Sequence, residues 1–329
     1  MKRRRTLCVP LALATFTHLF SWVARAETHG RRFRIGILAI GSPENSNEVL
    51  QALNEGLREQ GLVEGRNLEL TFRWARGSVD ALPALATELA ELQVDVILAG
   101  NNTAIAAAQR ATSTIPIVMV LGVDPVRNGF IESLAHPGRN ITGLTNDAGQ
   151  GMHGKMLGLL KELLPSASVI GVLVQQGVGF DRMAAEEGAR QLNLRLHYPP
   201  ELRQPQELGP AFEAMKRAGV QAVYVIGGAF IYQHRQSVAD LALQHRLPSM
   251  HYVADYVRAG ALASYGTDLR AQHRRSAWYV ARIVNGAKPA ELPVEQPAKF
   301  ETAINLRTAK ALGLVVPPSL LLRADEVVR

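Results

Sequence analysis

Five short segments carry the residue types that hold small polar molecules. Gly41-Ser42-Pro43, Gly100-Asn101-Asn102-Thr103 and Gly122-Val123-Asp124-Pro125 lie in the first half of the chain, and Gln175-Gln176 and Gly227-Gly228 in the second. Each follows a short apolar run. Asp124 can accept from an ammonium or a hydroxyl. Thr103 and the backbone N–H groups around it sit where a helix begins, a position that grips carboxylates. Glycine, asparagine, aspartate and proline are also what tight βα turns require, so any one of these loops reads equally as a turn. Several such loops facing one cleft argue for a pocket where one alone does not.

Covalent chemistry finds less support. The chain has no G-x-x-x-x-G-K-[ST], no H-E-x-x-H and no G-x-S-x-G. Gly177-Val178-Gly179 lacks the third glycine of a dinucleotide fingerprint. His234 and His245 fall on a polar helix face, and His273 sits near Arg270, Arg274 and Arg275, which reads as solvated surface. Glu186-Glu187 and Asp325-Glu326 are adjacent pairs that point in different directions on a helix. No catalytic residue, metal-ligand set or cofactor is expected, and the chain reads as a non-enzyme.

The elements that must position these loops alternate regularly. Residues 33–40, 68–74, 94–99, 115–121 and 140–145 read as strands, separated by helical patterns around Leu50, Leu53 and Leu57, over 82–92, and in an Ala-rich stretch after Thr103. The rhythm then restarts, with strands over 168–174, 194–198, 220–226, 247–251, 261–265 and 300–306. Helices are expected at 157–164, 181–192, 208–218, 231–245 and 269–284, with a helical turn or two at 308–312 and a tail from Pro317-Pro318. Short buried runs alternating with helices predict an α/β fold with two doubly wound parallel sheets, each covered on both faces. Ligands bind such sheets at the carboxyl ends of the strands, where the five loops fall.

Composition narrows the class further. The chain has 329 residues, 47% apolar and 20% charged, with 28 Gly, 17 Pro and one Cys, which excludes long disorder and a disulfide scaffold. The net charge of +7 is concentrated at the start, in Lys2, Arg3, Arg4, Arg5 and Arg25. Past residue 26, 31 basic residues face 29 acidic ones, a near-neutral body with no footprint for nucleic acid. Lys2 to Arg5, the apolar stretch Leu7 to Ala24 and the small-x-small Ala24-Arg25-Ala26 form the pattern of a cleaved secretory signal peptide over residues 1–26. Arg4-Arg5-Thr6-Leu7 is similar to a twin-arginine signal. Cys8 lies inside that leader, so the exported chain would hold no thiol.

Several ordered strings resemble a known family. They are Gly61-Leu-Val-Glu-Gly-Arg-Asn67 with Phe72-Arg-Trp-Ala75, and Ala111-Thr-Ser-Thr-Ile-Pro-Ile-Val118 with Asp124-Pro125. Pro137-Gly-Arg-Asn-Ile-Thr-Gly143, Ser264-Tyr-Gly266, Leu292-Pro-Val-Glu-Gln-Pro-Ala-Lys-Phe300 and Asn305-Leu-Arg-Thr-Ala-Lys-Ala-Leu-Gly313 follow. From about Arg34 to the C-terminus the chain resembles the substrate-binding proteins of the tryptophan/tyrosine-type ABC transporter family. The resemblance implies a type I periplasmic-binding-protein fold with hinge crossings near Thr145, Thr267 and Pro297. The organisation it implies is a leader at 1–26, a first lobe of 33–145 plus 268–297, and a second of 146–267 plus 298–329.

It also implies an exported, periplasmic, monomeric protein that closes on a small molecule and delivers it to an ABC permease. A sensor component that presents its closed form to a receptor would share the fold. The sequence departs from the family at the loops. Gln175-Gln176 stands where Asn-Pro is common, Gly227-Gly228 where Asp-Pro is common, and Gly100-Asn101-Asn102 where Gly-Thr-Pro is common. The expected pocket brings Ser42, Asn101, Thr103 and Asp124 against Gln175, Gln176, Gly228 and Tyr265. With Arg127 as the one cation in these loops, a neutral or zwitterionic ligand is expected, including aromatic amino acids. Tyr265 and Phe230 read equally as an aromatic wall or as core.

Overall fold

The β-branched runs form the strands. The computed structural model describes residues 32–146, 151–176 and 182–329. The expected signal peptide, Gly177-Val178-Gly179 and Asp181 lie outside the described residues.

The first sheet is wholly parallel, in the order β2-β1-β3-β4-β5. Its strands are β1 (Phe33–Ala39), β2 (Leu68–Trp74), β3 (Val96–Ala99), β4 (Ile117–Gly122) and β5 (Ile141–Thr145). Every residue of β3 is buried, as a strand covered on both faces requires. The helices α1 (Asn47–Glu59), α2 (Leu82–Glu91) and α3 (Asn102–Ala111) alternate with the strands. One core cluster gathers Ile35, Leu53 and Val118 with Tyr279; the other gathers Leu38, Leu89 and Met119.

The second sheet follows α4 (Gly151–Leu163), with β6 (Val169–Val174), α5 (Arg182–Gln191), β7 (Arg195–His197), α6 (Leu208–Arg217) and β8 (Ala222–Gly227). Then come α7 (Ala229–Gln233), α8 (Arg235–Gln244), β9 (Ser249–His251), α9 (Asp255–Arg258) and β10 (Ala263–Gly266). The helix expected over 231–245 is broken at His234, whose ψ of 24° leaves the helical well. After β10 the chain leaves this sheet as α10 (Leu269–Val284), which packs on α1 and reaches β4 and β5 of the first. It returns as β11 (Glu301–Asn305), α11 (Leu306–Leu312), α12 (Pro318–Arg323) and β12 (Glu326–Val328).

The order here is β12-β11-β10-β9-β8-β6-β7. The parallel sheet has an antiparallel pairing at β11, which runs against β10 and pairs Ser264 with Ala303. The tail from Pro317-Pro318 holds α12 and β12, and β12 extends the sheet by pairing Ala303 with Glu326.

The chain therefore passes between the sheets after β5, after β10 and before β11. These passages are tied to one another. Thr145 N–H donates to the Glu295 carbonyl at 2.9 Å, and Glu295 N–H donates to Gly143 at 3.0 Å. Gln272 Nε2 donates to the Thr145 carbonyl at 3.2 Å, and the Thr267 hydroxyl donates to the Asn146 side chain.

Candidate ligand-binding cleft

A cleft of about 810 Å³ opens where the carboxyl ends of β1, β3 and β4 face those of β6 and β8. Its volume lies in the range of small-molecule sites.

The first-lobe wall is an asparagine scaffold. Asn101 caps α3 from an extended backbone, its Oδ1 accepting from Ala104 N–H at 3.1 Å and from the Thr103 hydroxyl at 3.0 Å. A cap of this kind leaves the remaining first-turn N–H groups for an outside acceptor. Asn102 reads the next loop on both edges. Its Oδ1 accepts from Val123 N–H at 2.8 Å, and its Nδ2 donates to the Val123 carbonyl at 2.9 Å. Asn128 Nδ2 donates to the Val123 and Asp124 carbonyls at 2.9 and 3.0 Å. Asp124 is thereby held at φ of 46°, a left-handed conformation that aspartate tolerates better than most residues. Arg127 and His273 complete this wall. The His273 Nδ1 lies 2.7 Å from the Leu269 carbonyl and so donates to it, and desolvation lowers the imidazole's affinity for a second proton.

The second-lobe wall is aromatic. Tyr232 and Tyr252, both partly exposed, line it together with Met152, His153, Met156 and Tyr224, which is 1% exposed and belongs to the core. The Tyr224 hydroxyl lies 2.6 Å from His153 Nδ1 and 3.5 Å from the Met156 sulfur. Tyr232 donates to Asp255, and the Arg235 guanidinium stands 5.0 Å from its ring centroid. Tyr252 and Tyr232 each meet Tyr256 edge-on, at 5.6 and 6.0 Å between centroids. Burial raises all three lining phenols above the usual tyrosine value, so they are neutral. Gln233 Nε2 spans the cleft to the Ile40 carbonyl at 3.4 Å.

Of the expected site residues, Asn101, Thr103, Asp124, Gln175, Gln176 and Gly228 line this cleft. Two do not. Ser42 is turned into the short 3-10 turn that Pro43 starts, and its carbonyl accepts from the Ser46 hydroxyl at 2.8 Å; Gly41, Asn45 and Ser46 line the cleft instead. Tyr265 belongs to β10, two strands away from β8, and stacks on Phe300 at 5.8 Å. Phe230 is core, 4% exposed. Gln175 is largely spent on the fold, its Oε1 accepting from Phe230 N–H at 3.0 Å.

The sequence reading missed the three tyrosines, Asn102 and both lining histidines. His273 faces the cleft, not the solvated surface that its arginine neighbours suggest. Among the described residues no group of three or more His, Cys, Asp or Glu could hold a metal ion, and no helix is long and apolar enough to cross a membrane.

A family model described as ABC transporter substrate binding protein matches residues 34–328. The chain is 24% identical over 283 residues to a tyrosine-binding protein of Clostridioides difficile (strain R20291), covering 85% of this chain and 81% of that one. A conserved domain protein of Vibrio cholerae has a similar structure, with a TM-score of 0.84 and 26% identity over 90% of this chain and all of that one. So does an ABC domain from Streptococcus pneumonia in complex with L-Trp, with a TM-score of 0.82 and 22% identity at the same coverage.

Proposed function

The chain belongs to the ABC transporter substrate-binding protein family, and from that premise we propose that it captures an aromatic amino acid or a related zwitterion in the cleft and delivers it to an ABC permease. Members of this family bind substrates outside the cytoplasm and are not enzymes. The observation that carries the ligand reading is the pairing of unlike walls: Asp124 and the start of α3 on one side, Tyr224, Tyr232 and Tyr252 on the other. An α-ammonium pairs with Asp124, and an α-carboxylate accepts from the first-turn N–H groups of α3 beside Thr103. The ring lies against the tyrosines, where offset or edge contacts add to simple burial.

Two relatives support this reading, one named for binding tyrosine and one solved with L-Trp. With one carboxylate and one guanidinium among its described lining residues, the cleft suits a ligand of no net charge. A ligand that touches both lobes binds the closed arrangement better and shifts the population towards it, and the closed form is what a permease would receive. The leader over residues 1–26 would direct a monomer to the periplasm; N-terminal sequencing of the exported protein should then begin at Glu27.

The test is a thermal-shift screen of amino acids, aromatic acids and nucleosides, followed by small-angle scattering with the best ligand. A bound ligand raises stability by mass action. Stabilisation by L-tyrosine or L-tryptophan with a fall in radius of gyration is expected. Stabilisation by nucleosides alone, or tight binding without compaction, would overturn the proposal.

A further inference from the structure

Among the described residues, the formal charge that lines the cleft sits on the first lobe, and the lining residues of the second include no Asp, Glu, Lys or Arg. What gives that second wall its shape is a pair of absent side chains. Gly227 ends β8 at φ of 95°, and a Cβ there would stand 2.2 Å from Tyr252 Cε1 and 2.7 Å from Cζ. The Tyr252 ring thus fills the volume that any side chain at 227 would occupy. On the other side, a Cβ on Gly266 would stand 1.6 Å from the Tyr252 carbonyl oxygen. Tyr252 is therefore seated between the ends of β8 and β10, with its ring braced on Tyr256 and partly exposed at the cleft.

We infer that Tyr252, in the seat left by the missing Gly227 side chain, is the specificity-determining residue of the second wall and selects ligands with a planar ring over aliphatic ones of similar size. The inference rests on the function proposed above. A ring packed on the Gly227 backbone and on the Tyr256 ring, with its own main chain held against Gly266, cannot rearrange to follow an irregular aliphatic surface, because packed side chains move only by displacing their neighbours. It presents a flat π face or edge, which another ring matches and a branched chain does not. The same close contact makes Gly227 and Tyr252 a coupled pair. Beyond the backbone strain that any side chain meets at φ of 95°, a methyl group at 227 harms the wall only while the ring is there to collide with it.

The test is a double-mutant cycle read by calorimetry with L-tyrosine, L-tryptophan and L-leucine, on the wild type, Gly227→Ala, Tyr252→Ala and the double variant. The wild type should favour the aromatic ligands over L-leucine. Tyr252→Ala should cut that preference on the order of tenfold, the scale of a lost pocket contact. Gly227→Ala should cut it comparably in the wild-type background and not at all in the Tyr252→Ala background. Melting curves separate these effects from backbone strain at 227, and Tyr252→Ala alone still decides the question if Gly227→Ala does not fold. An unchanged aromatic preference in Tyr252→Ala, or equal losses from Gly227→Ala in both backgrounds, overturns this inference and leaves the proposed function standing. A wild type that binds none of the three ligands overturns both.

Discussion

The first-lobe wall of the cleft holds Asp124 and Arg127 among asparagine side chains, whereas the second-lobe wall holds three tyrosines and, among its described residues, no formal charge. Both walls are loops at the carboxyl ends of parallel strands, so topology does not explain the contrast. Hydrogen bonding does. On the first wall, the amides of Asn101, Asn102 and Asn128 are bonded to backbone and fix a charged residue in an uncommon conformation. On the second, the rings are braced by other rings, and Tyr256 supports both Tyr232 and Tyr252. One wall is suited to reading the polar end of a ligand, and the other its apolar end.

The largest expected effect concerns what the second wall stands on. His251 is fully buried, stacked on Tyr256 at 4.3 Å, and among the described residues its ring nitrogens have no hydrogen-bond partner. Burial pushes its pKa down to about 3 from 6.5. Below the unfolded value the unfolded chain takes up a proton that the folded lobe refuses. Stability therefore falls as pH falls from 6.5 towards 3, by up to about 1.4 kcal/mol per pH unit. Half-buried His273 on the first wall, also lowered by desolvation, acts in the same direction. Urea titrations at about pH 7 and about pH 4.5 measure this slope. His251→Phe should remove roughly 2–3 kcal/mol of the difference, and an identical slope in that variant would mean the second wall has no such acid weakness.

Next comes the polar end. Asp124→Asn keeps a residue that tolerates the left-handed backbone and removes the charge. It should weaken L-tyrosine binding by about 1.5–3 kcal/mol, the range for a charged hydrogen bond. Binding of 3-(4-hydroxyphenyl)propionate, which lacks the ammonium, should change little. Equal losses for both compounds in calorimetry would break the assignment of the ammonium to the first wall.

A smaller effect should follow from Asn102→Ala, which removes two hydrogen bonds to Val123 and loosens Asp124. About 1–2 kcal/mol of L-tyrosine affinity should be lost, at roughly 1 kcal/mol per bond. Tyr252→Ala made alongside should leave discrimination between L-tyrosine and the propionate untouched, which sharpens the division between walls.

The smallest effect is at the crossings. Arg275 pairs with Glu295 at 2.6 Å with both side chains about two-fifths exposed, so Glu295→Ala should cost less than about 1 kcal/mol in a melting curve. The connection there runs through the Glu295 backbone, and compaction on ligand addition should survive the substitution.

The scaffold was legible in the sequence because buried parallel strands are written as short β-branched runs, such as Val-Ile-Leu-Ala in β3. The break at His234 and the antiparallel β11 were not legible, since neither changes local apolar spacing. The first wall was partly legible. Asn101, Thr103 and Asp124 follow strands that end at the cleft, whereas Ser42 follows one too but is turned away by the Pro43 turn. The second wall was nearly illegible. Tyr224 sits inside a run that reads as core strand, and whether it faces a core or a cleft depends on which strand stands beside it. Tyr265 misled for the same reason, because strand order, not sequence order, places β10 two positions from β8.

The most direct test of this division of labour is a crystal structure grown with L-tyrosine. The ligand's ammonium is expected on Asp124, its carboxylate at the start of α3, and its ring against Tyr252 and Tyr232. A ligand bound in the reverse sense, with its ring against the asparagine wall and its charged end among the tyrosines, would contradict that division.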